Sequence, residues 1–314
     1  MQYRYTLLAL VFSISIITAG EPAAEPVQES ESKITHAFLA TGGDTFIMSA
    51  ENKITWRYPK STRDGWVLPN GNILLAVSKG KDYPSGAIVE VDKEGKTVFE
   101  FKGTQSEVDT VQALDNGNYM LTESGDKPRL MEVDKSGKIV LEFPLQCQNK
   151  NHHMETRMAR KLANGNYLVP HLLDKVVREY TKEGKVVWEA RTPDSPPECW
   201  PFTAIRLDNG NTLVNLTHGN MTVEFDAAGK IVWQVTNADL PSPLFKDPCG
   251  AQRLPNGNTV ITSYAERGTN ALKMFEITPD KKVVWTFKTG KGNNIHEFHI
   301  FETNGKPLEG RPLR

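Results

Sequence analysis

The residues of this chain best equipped for chemistry are histidines, arginines and carboxylates set where an otherwise regular pattern breaks. The segment NHHMETRMARK holds His152, His153, Glu155 and Arg157, and His171 follows shortly after it. His152 and His153 are adjacent and point opposite ways on a strand, so at most one faces a given site. If the segment is extended, Glu155 and Arg157 share a side with His153. Imidazole, carboxylate and guanidinium together can bind an anion or move a proton. The same groups are equally suited to an ion-pair cluster bracing a loop. His296, in HEFHIFETNGK, and Asp64, in RDGWVLPNGN, extend the set. The catalytic candidates are His153, His171 and His296; the ligand-binding candidates are Asp64, Glu123, Glu155 and Arg157. No CxxC, HxxxH or HExxH spacing occurs, so no metal site is assigned.

The elements that must position these residues are legible from a repeat. Asn-Gly-Asn begins at Asn70, Asn116, Asn164, Asn209 and Asn256, with a degenerate copy at Asn304. A spacing in the forties marks one supersecondary unit copied along the chain. Each unit reads as strand, Asn-Gly turn, strand (NILLAV, NYMLTE), third strand (AIVEVD, RLMEVD), Gly-Lys turn and fourth strand (KTVFEF, KIVLEF). Asn-Gly is expected to form a two-residue type I′ hairpin turn. Alternation and β-branching exclude helical repeats. The fold class is all-β, a six-bladed β-propeller of four-stranded antiparallel blades. The sixth blade is split: HEFHIFETNGK supplies the innermost strand, and ITHAFLATGG, DTFIMSAE and NKITWRYP the other three. Five residues before each Asn-Gly turn stand Gly65, Val111, Ala159, Ala204 and Ala251, modest in size as the crowded axis demands. In the sixth unit the same spacing lands on His299, which a one-residue slip would explain.

Both tight turns of a blade fall on one face of the ring, so the longer links emerge on the other, where binding and chemistry concentrate. Polar residues of that long-loop face are Asp64, Glu107, Asp109, Glu123, His152, His153, Glu155, Arg157, His171, His218, Asp247, Glu266, Arg267 and His296. Blade links converge there on the mouth of the central channel.

Outside the repeats, Arg4 precedes an apolar run from Leu7 to Ile17 and small residues near Ala19 and Gly20, so residues 1–20 read as a secretory signal peptide. Residues 21–32, EPAAEPVQESES, read as a disordered acidic linker, and 33–314 as one propeller domain. The expected location is therefore periplasmic or extracellular, with no membrane span after cleavage. Cys147, Cys199 and Cys249 allow one disulfide, with Cys199 and Cys249 in successive blade links, or three free thiols. A net charge of −1 without basic runs argues against a nucleic-acid partner.

The fourth strands GKVVWEA, GKIVWQV, KKVVWTF and NKITWRY end on Trp188, Trp233, Trp285 and Trp56, with Phe99 and Leu141 in the other two copies. This pattern resembles the pyrroloquinoline-quinone-like (PQQ-like) repeat of quinoprotein propellers, over nearly the whole mature chain. The resemblance implies that the tryptophans dock neighbouring blades. Quinoprotein dehydrogenases with this repeat usually have eight blades, a Ca²⁺ site and often adjacent cysteines at the quinone. Six blades and no adjacent cysteines argue against the quinone here, while Ca²⁺ stays open. More distantly, RDGWVLPNGN resembles the inner strand of arylsulfate sulfotransferases, whose motif has His-Asp before Leu-Pro-Asn-Gly-Asn. Here Asp64 is kept, Arg63 stands in the His place, and His296-Glu297 is a relative of the motif. That resemblance implies a histidine accepting a sulfuryl group, with Arg63 or Arg157 holding the anion. The expected function is an exported scaffold binding a small-molecule, carbohydrate or protein ligand at the long-loop face and channel mouth. The alternative is a His-dependent sulfuryl-transfer or hydrolytic enzyme.

Overall fold

The computed structural model describes residues 25–290 and 294–314. The expected signal peptide lies outside the described residues. After β1 (Val27–Glu29), the chain lays down β2 (His36–Gly42), β3 (Thr45–Met48) and β4 (Ile54–Tyr58). Blade 1 follows as β5 (Thr62–Val67), β6 (Ile73–Val77), β7 (Ala87–Val91) and β8 (Thr97–Lys102). Blade 2 is β9 (Glu107–Ala113), β10 (Tyr119–Ser124), β11 (Arg129–Val133) and β12 (Ile139–Pro144). Blade 3 is β13 (Arg160–Lys161), β14 (Tyr167–His171), β15 (Val176–Tyr180) and β16 (Val186–Arg191). Blade 4 is β17 (Cys199–Arg206), β18 (Thr212–His218), β19 (Met221–Phe225) and β20 (Ile231–Thr236). Blade 5 is β21 (Ala251–Arg253), β22 (Thr259–Thr262), β23 (Ala271–Ile277) and β24 (Val283–Thr289). The last strands are β25 (Ile295–Thr303) and the short β26 (Lys306–Pro307).

Strands pair in chain order within each blade, and β25 pairs with β2 to complete blade 6. This is the six-bladed propeller with a split closing blade. The core is not central. Its six largest apolar clusters among the described residues lie one between each pair of adjacent blades, such as Trp66, Leu74, Val111 and Leu121 between blades 1 and 2. A twisted sheet cannot bury both faces alone, so each blade depends on its neighbours.

Two sequence expectations change and a third is borne out. The Asn-Gly turns are not type I′: Gly71 has φ +86°, while Asn70 keeps a negative φ. Gly71 N–H bonds to Leu68 O (2.9 Å) and Leu68 N–H to Asn72 O (2.8 Å), a type I turn closed by a glycine bulge. Asn70 stays right-handed because its Oδ1 accepts the Asn72 N–H at 3.0 Å. Next, Val27–Glu29 is not part of a free linker. It adds a fifth strand to β24, because the Gln28 side chain donates to His36 O and Ser49 O and accepts from Trp285 Nε1. Finally, the slip at blade 6 is real: Phe298 pairs with Ala40, so a large residue on the inner strand faces a small one on the next.

Tryptophans do dock neighbouring blades. Trp188 Nε1 donates to Ala227 O of blade 4, and Trp233 Nε1 to Pro279 O of blade 5. A second device spans five interfaces. The third strand of each of blades 1 to 5 carries a buried glutamate (Glu90, Glu132, Glu179, Glu224, Glu276). In four blades it accepts the Nδ2 of the last Asn of its own Asn-Gly-Asn turn, as Asn72 donates to Glu90 at 2.6 Å. It also reaches the next blade: Glu90 to the Tyr119 hydroxyl, Glu132 to Tyr167, Glu179 to Arg206, Glu224 to Arg253 and Glu276 to His36. Glu90→Ala should leave Asn72 and the Tyr119 hydroxyl without their buried acceptor and cost about 1–3 kcal/mol. Thermal unfolding followed by circular dichroism should show a midpoint lower by about 2–4 °C per kcal/mol. Glu94→Ala, in an exposed pair with Lys93, should leave the midpoint unchanged. Equal midpoints for the two variants would contradict the role given to Glu90.

Candidate functional site

Inner strands of a propeller line its axis, and here those of five blades carry an irregularity at the long-loop end. The β5–β6 ladder skips Arg63, the β9–β10 ladder Asp109, the β17–β18 ladder Phe202, and the β2–β25 ladder His296. In blade 3 the register shifts by one between the Thr156–His171 bridge and the Arg160–Leu168 pair, around Arg157. Cys249 has the same spacing in blade 5, seven residues before its Asn-Gly turn. A bulge frees one residue from the ladder and re-aims its side chain, and such bulges gather at binding sites. The channel mouth is thus ringed by Arg63, Asp109, Arg157, Phe202, Cys249 and His296.

These side chains meet. Arg157 Nη1 donates to Asp109 Oδ1 at 3.3 Å and to Thr156 O at 2.6 Å, and its Nη2 donates to His153 O. Its guanidinium carbon lies 5.8 Å from the centre of the Phe202 ring. Phe202 stacks on His296 at 6.0 Å, and Tyr264 stacks on the same imidazole at 4.4 Å with planes 9° apart. Met154, Met158 and Leu172 pack with Phe202 and Cys249 beside them. Arg63 pairs with Glu107, which also takes Lys79 Nζ at 2.6 Å and His153 Nδ1 at 3.1 Å from both oxygens.

Burial disfavours charge on Glu107, but His153, Arg63 and Lys79 hold its carboxyl down to about 2. It is therefore an anion, and His153 donates Nδ1–H to it. Burial, helped by the Arg63 and Arg157 charges, drives His296 down to about 3, so this imidazole is neutral. Burial raises the Asp109 carboxyl against the pull of Arg157 and Arg63. The mouth accordingly holds more positive than firm negative charge. Arg63 Nε and His296 Nδ1 are buried without hydrogen-bond partners.

Below the mouth the channel is filled. Asp64 accepts from Thr110 Oγ1 (2.7 Å), Arg160 Nη1 (2.8 Å) and Arg314 Nη2 (2.8 Å), and these arginines keep it ionised. Glu297 lies 4.0 Å from Arg160 Nη2 and 3.9 Å from Arg314 Nη2, and accepts from Thr203 Oγ1 at 3.0 Å. The small Gly250 admits it: a Cβ there would stand 2.6 Å from Glu297 Oε1.

Of the residues expected from sequence, the structure brings His153, His296 and Arg157 together at the mouth. His171 is elsewhere, buried between Cys147 Sγ (3.4 Å) and the Tyr180 hydroxyl (2.9 Å), and burial with Arg178 nearby takes it down to about 3. It is a hydrogen-bonded core histidine of blade 3. Asp64 belongs to the filled channel. Glu123 holds Arg129 and the Thr104 N–H at the end of β10. Glu155 does not share a side with His153, because the link bends, with Met154 N–H on Asn151 O; Glu155 turns to the Gly125 N–H at 2.9 Å. All three cysteines are free thiols. Phe202 and Tyr264 were not singled out from the sequence, and Glu107 entered only as a polar residue of the long-loop face and Arg63 only through the sulfotransferase resemblance; the spacing of seven before the Asn-Gly turns of blades 1 to 5, and of eight before Asn304, is the signal that finds the ring.

As for Ca²⁺, no three His, Cys, Asp or Glu side chains converge to hold a metal among the described residues. Asp64, Glu107 and Asp109 are engaged by arginines and lysine instead, so this donor set does not fit a cation. A concavity of about 440 Å³ lined by Thr104, Arg129, Phe143 and Pro144 lies at blade 2 and the link that enters it from blade 1, and one of about 210 Å³ borders Lys79. Neither is centred on the ring; the ring is the better candidate because its charged groups converge there with Arg63 Nε and His296 Nδ1 unpaired.

No protein-family model matches the chain, and no curated protein matches it. A solved protein of unknown function from Bacteroides caccae is similar, with TM-score 0.73 and 21% identity, over 89% of this chain and 99% of that one. A streptogramin B lyase has TM-score 0.58 and 15% identity, over 83% and 87%. A catalytically inactive virginiamycin B lyase variant from Staphylococcus aureus, with quinupristin, has TM-score 0.56 and 12% identity, over 84% and 99%. The likeness is one of fold.

Burial pushes the Glu297 carboxyl up to about 7 against the pull of Arg314 and Arg160, with Asp64 adding to the rise. Its ordinary value is 4.5, so between 4.5 and about 7 the folded chain holds a proton that the unfolded chain releases. Stability from this group is therefore complete below the lower value and lost as pH rises through the upper one. Glu297→Gln should unfold at a higher temperature than the parent at pH 8, by on the order of several degrees. The advantage should shrink towards pH 5; one that grows on acidification would refute the reading.

Proposed function

We propose that this chain is an exported propeller that binds, at the mouth of its channel, a small ligand carrying an anionic group beside a flat apolar or aromatic body. The observation that carries the reading is the buried Arg63 Nε–H, left without a partner in the ring of bulge residues, beside His296, whose ring donates to the Thr62 backbone and leaves Nδ1 as an unpaired acceptor for a donor elsewhere on the ligand. Unpaired buried polar groups cost free energy that a ligand can recover. Arg63, Arg157 and Lys79 supply the cations, and Arg suits the bidentate geometry of carboxylate or sulfate. Phe202, His296 and Tyr264 supply parallel ring faces against which a planar group can lie. Export rests on Arg4 and the apolar run that follows it.

A second reading is favoured by the Glu107–His153 pair. With Nδ1–H donated to an ionised carboxylate, His153 Nε2 is free to take a proton, or to attack the sulfur of an aryl sulfate. In that step an Nε2–S bond forms, the S–O bond to the aryl group breaks, and the leaving aryloxide takes a proton from water. Arg63 and Arg157 would stabilise the sulfuryl oxygens.

Thermal-shift and calorimetric titration against a panel of aryl sulfates and aryl carboxylates tests both readings. Arg63→Ala should weaken binding roughly tenfold or more, the worth of a charged hydrogen bond. His153→Ala should abolish any turnover while leaving binding within a few fold, and His171→Gln should turn over like the parent after allowing for lower stability. Binding by the Arg63→Ala variant equal to the parent's would sink the binding reading, and turnover that survives His153→Ala would sink the catalytic one.

A further inference from the structure

The filled lower channel holds one group that comes from no blade. From Pro307 the chain leaves blade 6 and runs across the tight-turn face. Leu308 N–H bonds to Phe301 O (2.9 Å), and Arg311 reaches Lys161 O of blade 3. Arg253 N–H of blade 5 bonds to Leu313 O (2.9 Å), and Leu313 packs with Ile205, Leu207 and Ala251. Arg314 then turns into the channel, where its side chain is fully buried.

What receives it has the features of a receptor for a guanidinium. Asp64 Oδ1 takes Nη2 at 2.8 Å and Gly65 O takes Nη1 at 2.8 Å, two acceptors from one strand matching two prongs of the fork. The Trp66 ring lies 4.2 Å from the guanidinium carbon, a cation–π contact from the same strand. Glu297 supplies a second carboxyl at 3.9 Å. Arg160 Nε donates to the Arg314 main-chain oxygen at 2.8 Å, so the backbone is read as well as the side chain. Arg160 is itself tied to Asp64, so the pocket keeps one cation of its own when Arg314 is withdrawn, and its anions are not left bare.

We propose that the lower channel is a peptide-binding site specific for an arginine side chain, occupied in cis by residues 308–314, and that it takes the same peptide in trans when the segment is removed. Occupied, it closes the tight-turn end of the channel, so the mouth has one entrance. The proposal does not depend on what the mouth binds.

The test is a chain shortened after Pro307, titrated with a fluorescent peptide of sequence LEGRPLR, residues 308–314, followed by anisotropy and by thermal unfolding. Saturable binding that raises the midpoint, absent with the full chain and weakened at least about tenfold when the peptide's arginine corresponding to Arg314 is replaced by alanine, is the expected result. No binding by a folded shortened chain, or equal binding of the alanine peptide, overturns the proposal. If the shortened chain does not fold alone, it is refolded with each peptide present. Recovery with the parent peptide only supports the site; recovery with both, or with neither, overturns it. In the full chain, Arg314→Lys keeps the charge but loses the fork and should unfold earlier than the parent; an unchanged midpoint also counts against the site.

Discussion

A buried glutamate on the third strand of a blade, held by its own turn and by the next blade, is the contact on which the regularity of this ring depends. The carboxylate needs several donors to be tolerated in the interior, and here the asparagine of the hairpin and a tyrosine, arginine or histidine of the following blade provide them. That requirement fixes the turn geometry, the register of the second strand and the angle between blades at once. Because the glutamates lie towards the tight-turn face, the opposite ends of the inner strands are released from it. There the six blades differ: arginine, aspartate, arginine, phenylalanine, cysteine and histidine occupy one structural position. At the interface between blades 6 and 1 the device is missing, and β6 opens on Ile73 where β10 and β14 open on Tyr119 and Tyr167. Leu39, Tyr58, Ile73 and Val89 close that seam by apolar packing.

The channel is organised by depth. At the mouth, an ionised Glu107 and a neutral His296 sit among arginines with unpaired nitrogens. Deeper, Asp64 collects two guanidinium groups in a bonded cluster. The difference follows from supply. Asp64 has more donors than it needs, so its arginines are fixed with only Arg314 Nε left over; at the mouth Arg63 Nε and His296 Nδ1 have no partner.

Much of this was legible in the sequence, for reasons that differ by feature. The blades could be counted because Asn-Gly-Asn marks a turn whose glycine needs a positive φ, a local demand that repeats with the fold. The turn type was misread because Asn-Gly suits type I′, whereas Asn70 uses its side chain to stay right-handed. His153, Arg157 and His296 were found because they interrupt the repeat. His171 interrupts it too, yet its partners, Tyr180 and Cys147, lie within its own blade or the preceding link, and residue type alone does not separate a hydrogen-bonded core histidine from a channel one. Arg314 could not be placed by pattern, since its contact with Asp64 joins residues 250 apart.

The split blade has a consequence for how the molecule is made. Its two halves join residues 267 apart, as between His36 and Thr303, so this pairing carries the largest loop-closure entropy in the ring and belongs among the slowest steps of folding. Until it forms, the stacked blades are an open arc with an apolar face at each end, Phe38 and Phe46 missing from one and Leu39 and Tyr58 from the other. An arc of that kind attracts a second arc as readily as its own missing strands. Whatever brings the early strands beside the late ones first decides whether the chain closes on itself or on a neighbour.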